Sequence, residues 1–535
     1  MPTMPRKSFW AWGMESDEPT EAQRRDLAAS LSSKFGVSID VPPVPSSSDL
    51  DLRKPRIAVP DSLASICSTD THERAVHTYG RSFGDRIRAF NLHFPNPPDV
   101  VAFPKTEEDV TALLDWCSGR GYAAIPYGGG SSVVGGFEPP EDYDGVVSID
   151  LSGLDQVLEL DEVSRAARIQ AGIYGPALEE KLRPHGYTLR HFPQSFEFST
   201  LGGWIATRSG GHYATNQTHI DDFVESVRMV TPQGIWESRR LPGSGAGPSP
   251  DRILLGSEGT LGIITEAWMR IQARPRFRAS AAVTFASFET GGEAVRQIVQ
   301  TKLWPANCRL LDPGEAADAL GYDGTQAILV LGFESSDLPQ GEQMRQVIDI
   351  ARECGGSVSD DQVRIIDGSS EEARRPEAVG AWRNSFIGAP YQRNISMGMG
   401  LVAETLETSI TWDRWHEMDA AVRGALQDAL DRVCGGGRVT CRFTHVYPDG
   451  PAPYFTFEGM GRPGAELEMH EEIKRAASDA IIAHGGTITH HHAVGRVHRP
   501  WYDQQRPDPF AAALRAAKSA VDPNWVLNPG ILIDR

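Results

Sequence analysis

His490-His-His492 is the densest group of reactive side chains in the sequence. In an extended chain His490 and His492 would share one face, with His491 pointing the other way. Imidazoles this close can ligate a metal, relay protons near neutral pH, or stand as solvated or structural groups. A metal wants further ligands, and no HExxH or carboxylate at ligand spacing accompanies the triplet, so none is expected. Tyr454 follows Pro453 and opens Tyr-Phe-Thr-Phe457. A phenol on a strand either packs in a core or, beside donors and positive charge, exchanges protons. Arg393, in Pro390-Tyr-Gln-Arg393, and Arg309, in Cys308-Arg-Leu-Leu311, lie among apolar neighbours. A buried guanidinium requires an anion, from a protein carboxylate or from a bound phosphate or carboxylate.

Groups of this kind act only on a ligand that something else holds. The sequence offers a cradle in Ile125-Pro-Tyr-Gly-Gly-Gly-Ser-Ser-Val-Val-Gly-Gly136. Consecutive glycines let a backbone turn sharply and line up N–H groups as an anion nest. It is not a P-loop, because Phe137 rather than lysine follows Gly136. It is not the dinucleotide fingerprint either, because Val133 stands where the third glycine is required. The stretch from His191 to Gly211 has little apolar periodicity and many small or hydroxylated residues, as a second lining wall would. Leu255-Gly-Ser-Glu-Gly-Thr-Leu-Gly-Ile-Ile264 is a third glycine-rich turn. The three read as one ligand channel; the alternative is a set of tight turns in a β-rich domain.

The elements around these segments follow from hydrophobic period. Val100–Pro104 and Tyr122–Ile125 read as strands, the second delivering the glycine loop. Between them Glu107–Cys117 is an amphipathic helix, apolar at Val110, Leu113, Leu114 and Cys117. Gly145–Asp150 and Ala166–Ala171 continue as strands, giving an α+β layout. Past Pro275, strands at Ala281–Phe285, Ala327–Phe333 and Tyr454–Phe457 alternate with helices at Gly292–Leu303, Glu342–Glu353 and Asp413–Val433. That is a second sheet-plus-helix domain. A helix at Phe510–Ala520 and the rigid turn Asp522–Gly530 return to the first domain, and the aromatic cluster Lys7–Gly13 packs on a later one. The expected division is 1–93, an N-terminal helical and irregular segment; 94–277 and 278–495, two domains; and 496–535, a returning C-terminal segment.

With 535 residues, 40% of them hydrophobic, the chain can build more than one core. A net charge of −19 disfavours nonspecific binding to nucleic acid or anionic membrane. Six cysteines without CxxC spacing fit a reducing cytosol and no structural zinc. No apolar run approaches the roughly 18 residues of a membrane span, no secretory h-region is present, and Ile533-Asp-Arg535 is not a peroxisomal address. A cytoplasmic protein is expected.

The glycine loop, the His191–Ser209 wall and Gly256-Ser-Glu-Gly-Thr-Leu-Gly262 resemble those of the vanillyl-alcohol-oxidase-like flavoproteins. Within that superfamily, Pro390–Arg393, Glu407-Thr-Ser-Ile-Thr-Trp-Asp-Arg414, Tyr454–Phe457 and the triple histidine resemble the alkyldihydroxyacetonephosphate synthase family. The likeness runs from Trp10-Ala-Trp-Gly13 to Asn528-Pro-Gly530. It implies a two-part FAD-binding domain of the PCMH type over 94–277 and an α+β cap over the flavin at 278–495. By the same resemblance FAD would lie against Pro126, Tyr127, Gly128, Gly129, Gly130, Ser131 and Ser132 of the loop. It would also touch Gln194, Ser195, Ser199, Thr200, Gly203, Thr207, Arg208 and Ser209 of the wall, and Gly256, Glu258, Gly259, Gly262 and Ile263 of the third segment. Serines rather than histidine follow Gly130, so the flavin is expected to be noncovalent.

The family's reaction replaces the acyl chain of acyl-dihydroxyacetone phosphate with a long-chain alcohol, without net redox change. Tyr454 would exchange the proton on the substrate carbon, His490, His491 and His492 would assist it, and Arg393 would clamp the phosphate. Arg309 and His191 match further positions the family needs. Lipid-like substrates, a homodimer and a peripheral membrane contact are implied as well. A second reading from the same superfamily is a FAD-dependent D-2-hydroxyacid dehydrogenase or oxidase, with Arg393 holding a carboxylate. The stretch Gly210-Gly-His-Tyr-Ala-Thr-Asn-Gln-Thr-His219 departs from the basic segment of animal members, and the peroxisomal targeting region of better-known members is missing.

Overall fold

The computed structural model describes residues 6–213, 215–367 and 388–535. The glycine loop leaves the end of a four-stranded sheet, ordered Cys67–Ser68, Val100–Ala102, Val146–Asp150, Ala123–Tyr127. Val146–Asp150 pairs in parallel with both Val100–Ala102 and Ala123–Tyr127. Parallel neighbours require a crossover, and the helix Glu107–Arg120 supplies it, burying Val110, Leu113, Leu114 and Cys117. The Thr106 hydroxyl caps its start by accepting the Asp109 N–H, and Gly121 ends it at φ 68°.

The chain peels off this sheet for a covalent reason. On the outer side of Ala123–Tyr127, the Ala124 N–H donates to the Val526 carbonyl and the Asn528 N–H donates to the Ala124 carbonyl. The next N–H in phase belongs to Pro126, which has none, so edge pairing stops there. The residues that follow turn into the loop.

A second sheet is antiparallel throughout, ordered Val157–Asp161, Ala166–Gln170, Ile263–Arg270, Val224–Thr231, Gly234–Glu237. The third glycine-rich segment feeds straight into its central strand. The wall between His191 and Gly211 contains a helix that the sequence reading did not anticipate, Leu201–Thr207. Leu201, Trp204 and Ile205 are its buried apolar side chains, and the Thr200 hydroxyl accepts the Gly203 N–H at its start. The run is too short for its period to stand out among glycines and hydroxyls.

The C-terminal half builds a seven-stranded antiparallel sheet, ordered Val363–Asp367, Phe277–Phe285, Ala327–Ser335, Asn307–Leu311, Arg438–Val446, Pro451–Met460, Leu401–Glu407. Ala281, Val283, Leu329 and Leu331 join the large core, while Ala282, Ile328 and Val330 form a small cluster on the other face, the two-residue period of a sheet covered on both sides. Helices Phe288–Gln300, Gly341–Glu353, Trp415–Cys434 and Glu466–Ala483 share the large core through Val295, Met344, Met418 and Ile473. The first of these begins before Gly292, where the apolar pattern placed it, because Ser287 caps the helix by accepting the Thr290 N–H. Phe9, Trp10 and Ala11 join the same core beside Phe83, Ile87 and Phe90 of the helix Phe83–Phe90, so the N-terminal aromatic cluster packs on the later domain. Among the described residues no helix is long and apolar enough to cross a membrane.

Candidate active site

One cavity, with about 1850 Å³ of unfilled space counting its open mouth, lies where the three glycine-bearing segments meet the cap sheet. From the loop it is lined by Pro126, Tyr127, Gly128, Gly129, Gly130, Ser131 and Ser132. The wall contributes Gln194, Ser195, Ser199, Thr200, Gly203, Thr207 and Ser209, and the third segment Glu258, Gly259 and Gly262. Arg309, Arg393, Tyr454, His491 and His492 close it from the cap side. The candidate reaction residues and the cradle thus share one chamber.

Five expected residues do not line it. Arg208 is exposed, at φ 51°, and its Nε donates to Asp221 Oδ2 at 2.8 Å. A Cβ on Gly256 would meet the Arg208 side chain, so Gly256 shapes the turn behind the wall. Ile263 is fully buried in its sheet, while its neighbour Ile264 reaches the cavity. His191 sits one layer back, 2.7 Å from the Ser209 hydroxyl, and burial pushes its imidazole down to about 3, helped by the charge of His219. The fifth is His490.

The histidine triplet is a bend, which corrects the expectation of an extended chain with His490 and His492 on one face. The cause is Glu407, buried to 1% exposure at the end of the strand Leu401–Glu407. Its carboxylate accepts the backbone N–H groups of His490, His491 and His492 and the Thr489 hydroxyl. Three successive donors aimed at one carboxylate cannot alternate as they would in a strand. His491 and His492 therefore face the cavity, while His490 turns away to Tyr447 (2.7 Å from its hydroxyl to Nε2) and His219 (3.2 Å). His490 Nδ1 and His491 Nδ1 lie 3.0 Å apart, which joins His219, His490 and His491 in a chain of ring nitrogens. Burial first, then the charge of neighbouring histidines and arginines, pushes His445, His490 and His491 well below the usual imidazole range, leaving neutral rings at pH 7.

His445 is an imidazole that spacing did not offer. Its ligating atoms, with those of His490 and His491, lie within 4.8 Å of one another, and its Nε2 is 2.9 Å from the Gly211 carbonyl. Hydrogen bonds to Tyr447, His219 and Gly211 already orient two of these rings.

Tyr454 lies on Pro451–Met460, directly opposite Glu407 on one neighbouring strand and Arg442 on the other. Its hydroxyl donates to Thr405 Oγ1 at 3.0 Å. The Arg442 guanidinium lies 3.9 Å from the phenol ring centre and is itself paired with Glu315 at 2.8 Å. The rings of His491 and His492 are 6.2 Å and 5.7 Å from that of Tyr454. This buried phenol faces the cavity beside a cation and two neutral bases. Arg393, on helix 388–395, sits 3.7 Å from Glu404. The Arg309 guanidinium donates to the His212 carbonyl, and burial, then Arg442, pushes it down to about 9.

Known proteins share both halves of this arrangement. The profile of the FAD binding domain matches residues 98–238, and that of the FAD linked oxidases, C-terminal domain, matches 274–532. The alkyldihydroxyacetonephosphate synthase of Caenorhabditis elegans is 31% identical over 496 residues, 87% of this chain and 81% of its own length. The chain belongs to the alkyldihydroxyacetonephosphate synthase family. The Dictyostelium discoideum member is likewise 31% identical, over 89% of this chain and 79% of that one. A solved alkyldihydroxyacetonephosphate synthase structure superimposes with a TM-score of 0.76 at 26% identity, over 94% of this chain and 90% of that chain. FAD is the family's cofactor, and the fold is the PCMH-type domain under an α+β cap.

The residues of this synthase-family chain fit that cofactor. No hydrogen bond is made by the N–H groups of Gly129, Gly130 or Ser131 among the described residues, and all three line the cavity. A Cβ on Gly129 would collide with the Phe198 carbonyl, and one on Gly128 with the Thr200 hydroxyl. The loop is therefore pressed against the wall with its free amides in the chamber, an arrangement that suits a diphosphate. The Asn528 amide ties the opposite side, donating to the Gly136 carbonyl at 2.9 Å and the Glu258 carbonyl at 2.6 Å. Glu258 accepts the N–H groups of Val494 and Gly495, yet burial outweighs them and raises its carboxyl to about 7.

Arg86, Glu404, Arg442 and His445 are among the cavity residues that escaped the sequence reading. Each is an ordinary residue in an ordinary strand or helix. Only pairing between distant strands, or the packing of Phe83–Phe90 beneath the cap, brings it to the site. Glu404 is held well below the usual carboxylate range: burial opposes its charge, but His470, Lys474 and Arg393 outweigh it.

Proposed function

We propose that this protein is an ether-lipid-forming transferase that exchanges the acyl chain of acyl-dihydroxyacetone phosphate for a long-chain alcohol. The ester C–O bond at the substrate carbon breaks, a fatty acid leaves, an ether C–O bond forms, and the alcohol proton is released, without net oxidation. The observation that carries the reading is that Tyr454, beside Arg442, His491 and His492, opens into the chamber the glycine segments enclose. FAD, when bound, supplies the electron-poor ring against which the carboxylate can leave. Tyr454 takes and returns the proton on the substrate carbon. The Arg442 guanidinium holds the phenol ring in place from 3.9 Å, and His491 and His492 receive or return the proton as neutral bases. Arg393 orients the phosphate.

The family resemblance also supports a homodimer and a lipid substrate drawn from a membrane face, and the six cysteines without CxxC spacing support a cytoplasmic setting. The described cysteines are all free thiols, which suits that compartment. Sedimentation and vesicle flotation of the purified protein test the first two. The reaction is tested by anaerobic absorbance of the yellow protein mixed with palmitoyl-dihydroxyacetone phosphate or with D-lactate. A shifted flavin spectrum with released fatty acid is the expected result; bleaching by D-lactate would favour the hydroxyacid reading.

A further inference from the structure

Arg86 is a buried cation without a hydrogen-bond acceptor among the described residues. It lies on the helix Phe83–Phe90, is 4% exposed and lines the cavity. Its guanidinium forms no hydrogen bond or close ion pair among the described residues, and Nε is buried and unbonded. The carboxylates whose field it feels are engaged elsewhere. Asp85 binds Arg88 at 2.8 Å and caps its own helix through Ser82. Glu404 accepts the N–H groups of Phe83 and Thr405 and faces Arg393 and His470. Arg81, by contrast, spends its guanidinium on the carbonyls of Ser8, Tyr79 and Gly80.

A guanidinium stripped of water and left without an anion is costly, and burial already pushes this one down to about 10. Such a group facing a chamber is compensated when an anion enters. Two anionic groups would share this chamber, the flavin diphosphate and the substrate phosphate. The diphosphate has the free amides of Gly129, Gly130 and Ser131. The helix that carries Arg86 is tied instead to the cap end, where Glu404 accepts the Phe83 N–H at 2.8 Å and faces Arg393 at 3.7 Å. The planar fork of donors on Arg86 matches two oxygens of a phosphate. We propose that Arg86 is a second guanidinium for the substrate's phosphate, acting with Arg393. This rests on the transferase reading for the identity of the ligand.

The test uses flavin-loaded protein and inorganic phosphate, read by calorimetric titration without turnover. Wild-type protein should bind phosphate, and R86Q and R86M should bind it about tenfold or more weakly, the range expected for a lost charge-assisted hydrogen bond. Flavin content should be unchanged, and R86K should fall between. R86M should also melt at a higher temperature than wild type in phosphate-free buffer, and phosphate should raise the melting temperature of wild type alone. Unchanged phosphate affinity in R86Q and R86M would overturn the assignment. So would flavin loss with phosphate binding intact, because the guanidinium would then serve the diphosphate. Acyl exchange that fails while phosphate binding still depends on Arg86 would sink the reaction and leave this assignment standing.

Discussion

The backbone N–H of His492 donates to Glu407 Oε1 at 2.9 Å, and Glu407 stands opposite Tyr454 in the strand register. One carboxylate thereby fixes the distance between the phenol and the imidazoles. Glu407 is a positioning residue, held ionised below the usual carboxylate range because the N–H groups of the triplet and the Thr489 hydroxyl offset the cost of its burial. E407A would leave several buried N–H groups without an acceptor, at about 1–3 kcal/mol each. The expected outcome is a clear drop in the denaturation midpoint, with E407Q falling between E407A and wild type. Equal stability of all three by urea titration would show that the bend holds itself.

Tyr454 is the group whose removal should separate chemistry from binding. Y454F keeps the ring under Arg442 and removes only the hydroxyl that reaches Thr405. Flavin content should match wild type while fatty acid release falls by about 10²–10⁴-fold, the usual worth of a positioned proton-transfer group. Loss of solvent hydrogen exchange at the substrate carbon should accompany it. Exchange that persists in Y454F would assign the proton to an imidazole instead.

Gly129 is where the cradle tolerates no side chain, because an added Cβ would meet the Phe198 carbonyl. G129A should purify with much less flavin, read as the ratio of absorbance near 450 nm to that at 280 nm. A fully yellow G129A would mean that the loop can retreat from the wall without losing its ligand.

Acid should destabilise the flavin-free protein well above the carboxylate range. Burial depresses His191, His445, His490, His491, His492 and His498, so the unfolded chain takes up protons below about 6.5 that the folded chain refuses. Stability therefore rises with pH through that window and falls as pH drops from 7 toward 5, by about 1.4 kcal/mol per pH unit for each group fully within it. Glu258 acts in the opposite sense, since its carboxyl is raised to about 7 and its contribution is lost as pH rises. Glu18, Asp85, Asp222, Asp312 and Asp419 are raised as well and act with Glu258, but from an ordinary range of about 4, below the window in which the six imidazoles set the slope. A urea midpoint that stays level between pH 7 and pH 5 would contradict this balance.

Local segments were the readable part of the site. The glycine loop, the hydroxyl-rich wall and the third turn carry their chemistry in consecutive residues, and each contributes to the chamber. The amphipathic helices were equally plain, since Trp415, Met418, Val422, Leu426 and Ala429 recur at helical spacing and are buried. What stayed hidden depends on partners far apart in sequence. Glu407 lies 83 residues from the first histidine it binds, and no local pattern marks a carboxylate that will accept backbone donors. The bend at His490–His492 was missed for the same reason, because its shape is set by that carboxylate and not by the histidines.

The Asn528 amide bonds to the carbonyl of Gly136, 392 positions earlier in the chain. Lys518 adds a second late tie, donating to the carbonyls of Thr260 and Leu527. During synthesis the three glycine segments emerge long before the residues that lock them together. The chamber can close only once translation has passed Asn528, so coenzyme loading becomes a late event, and a ribosome stalled within the cap would display an open, colourless cradle.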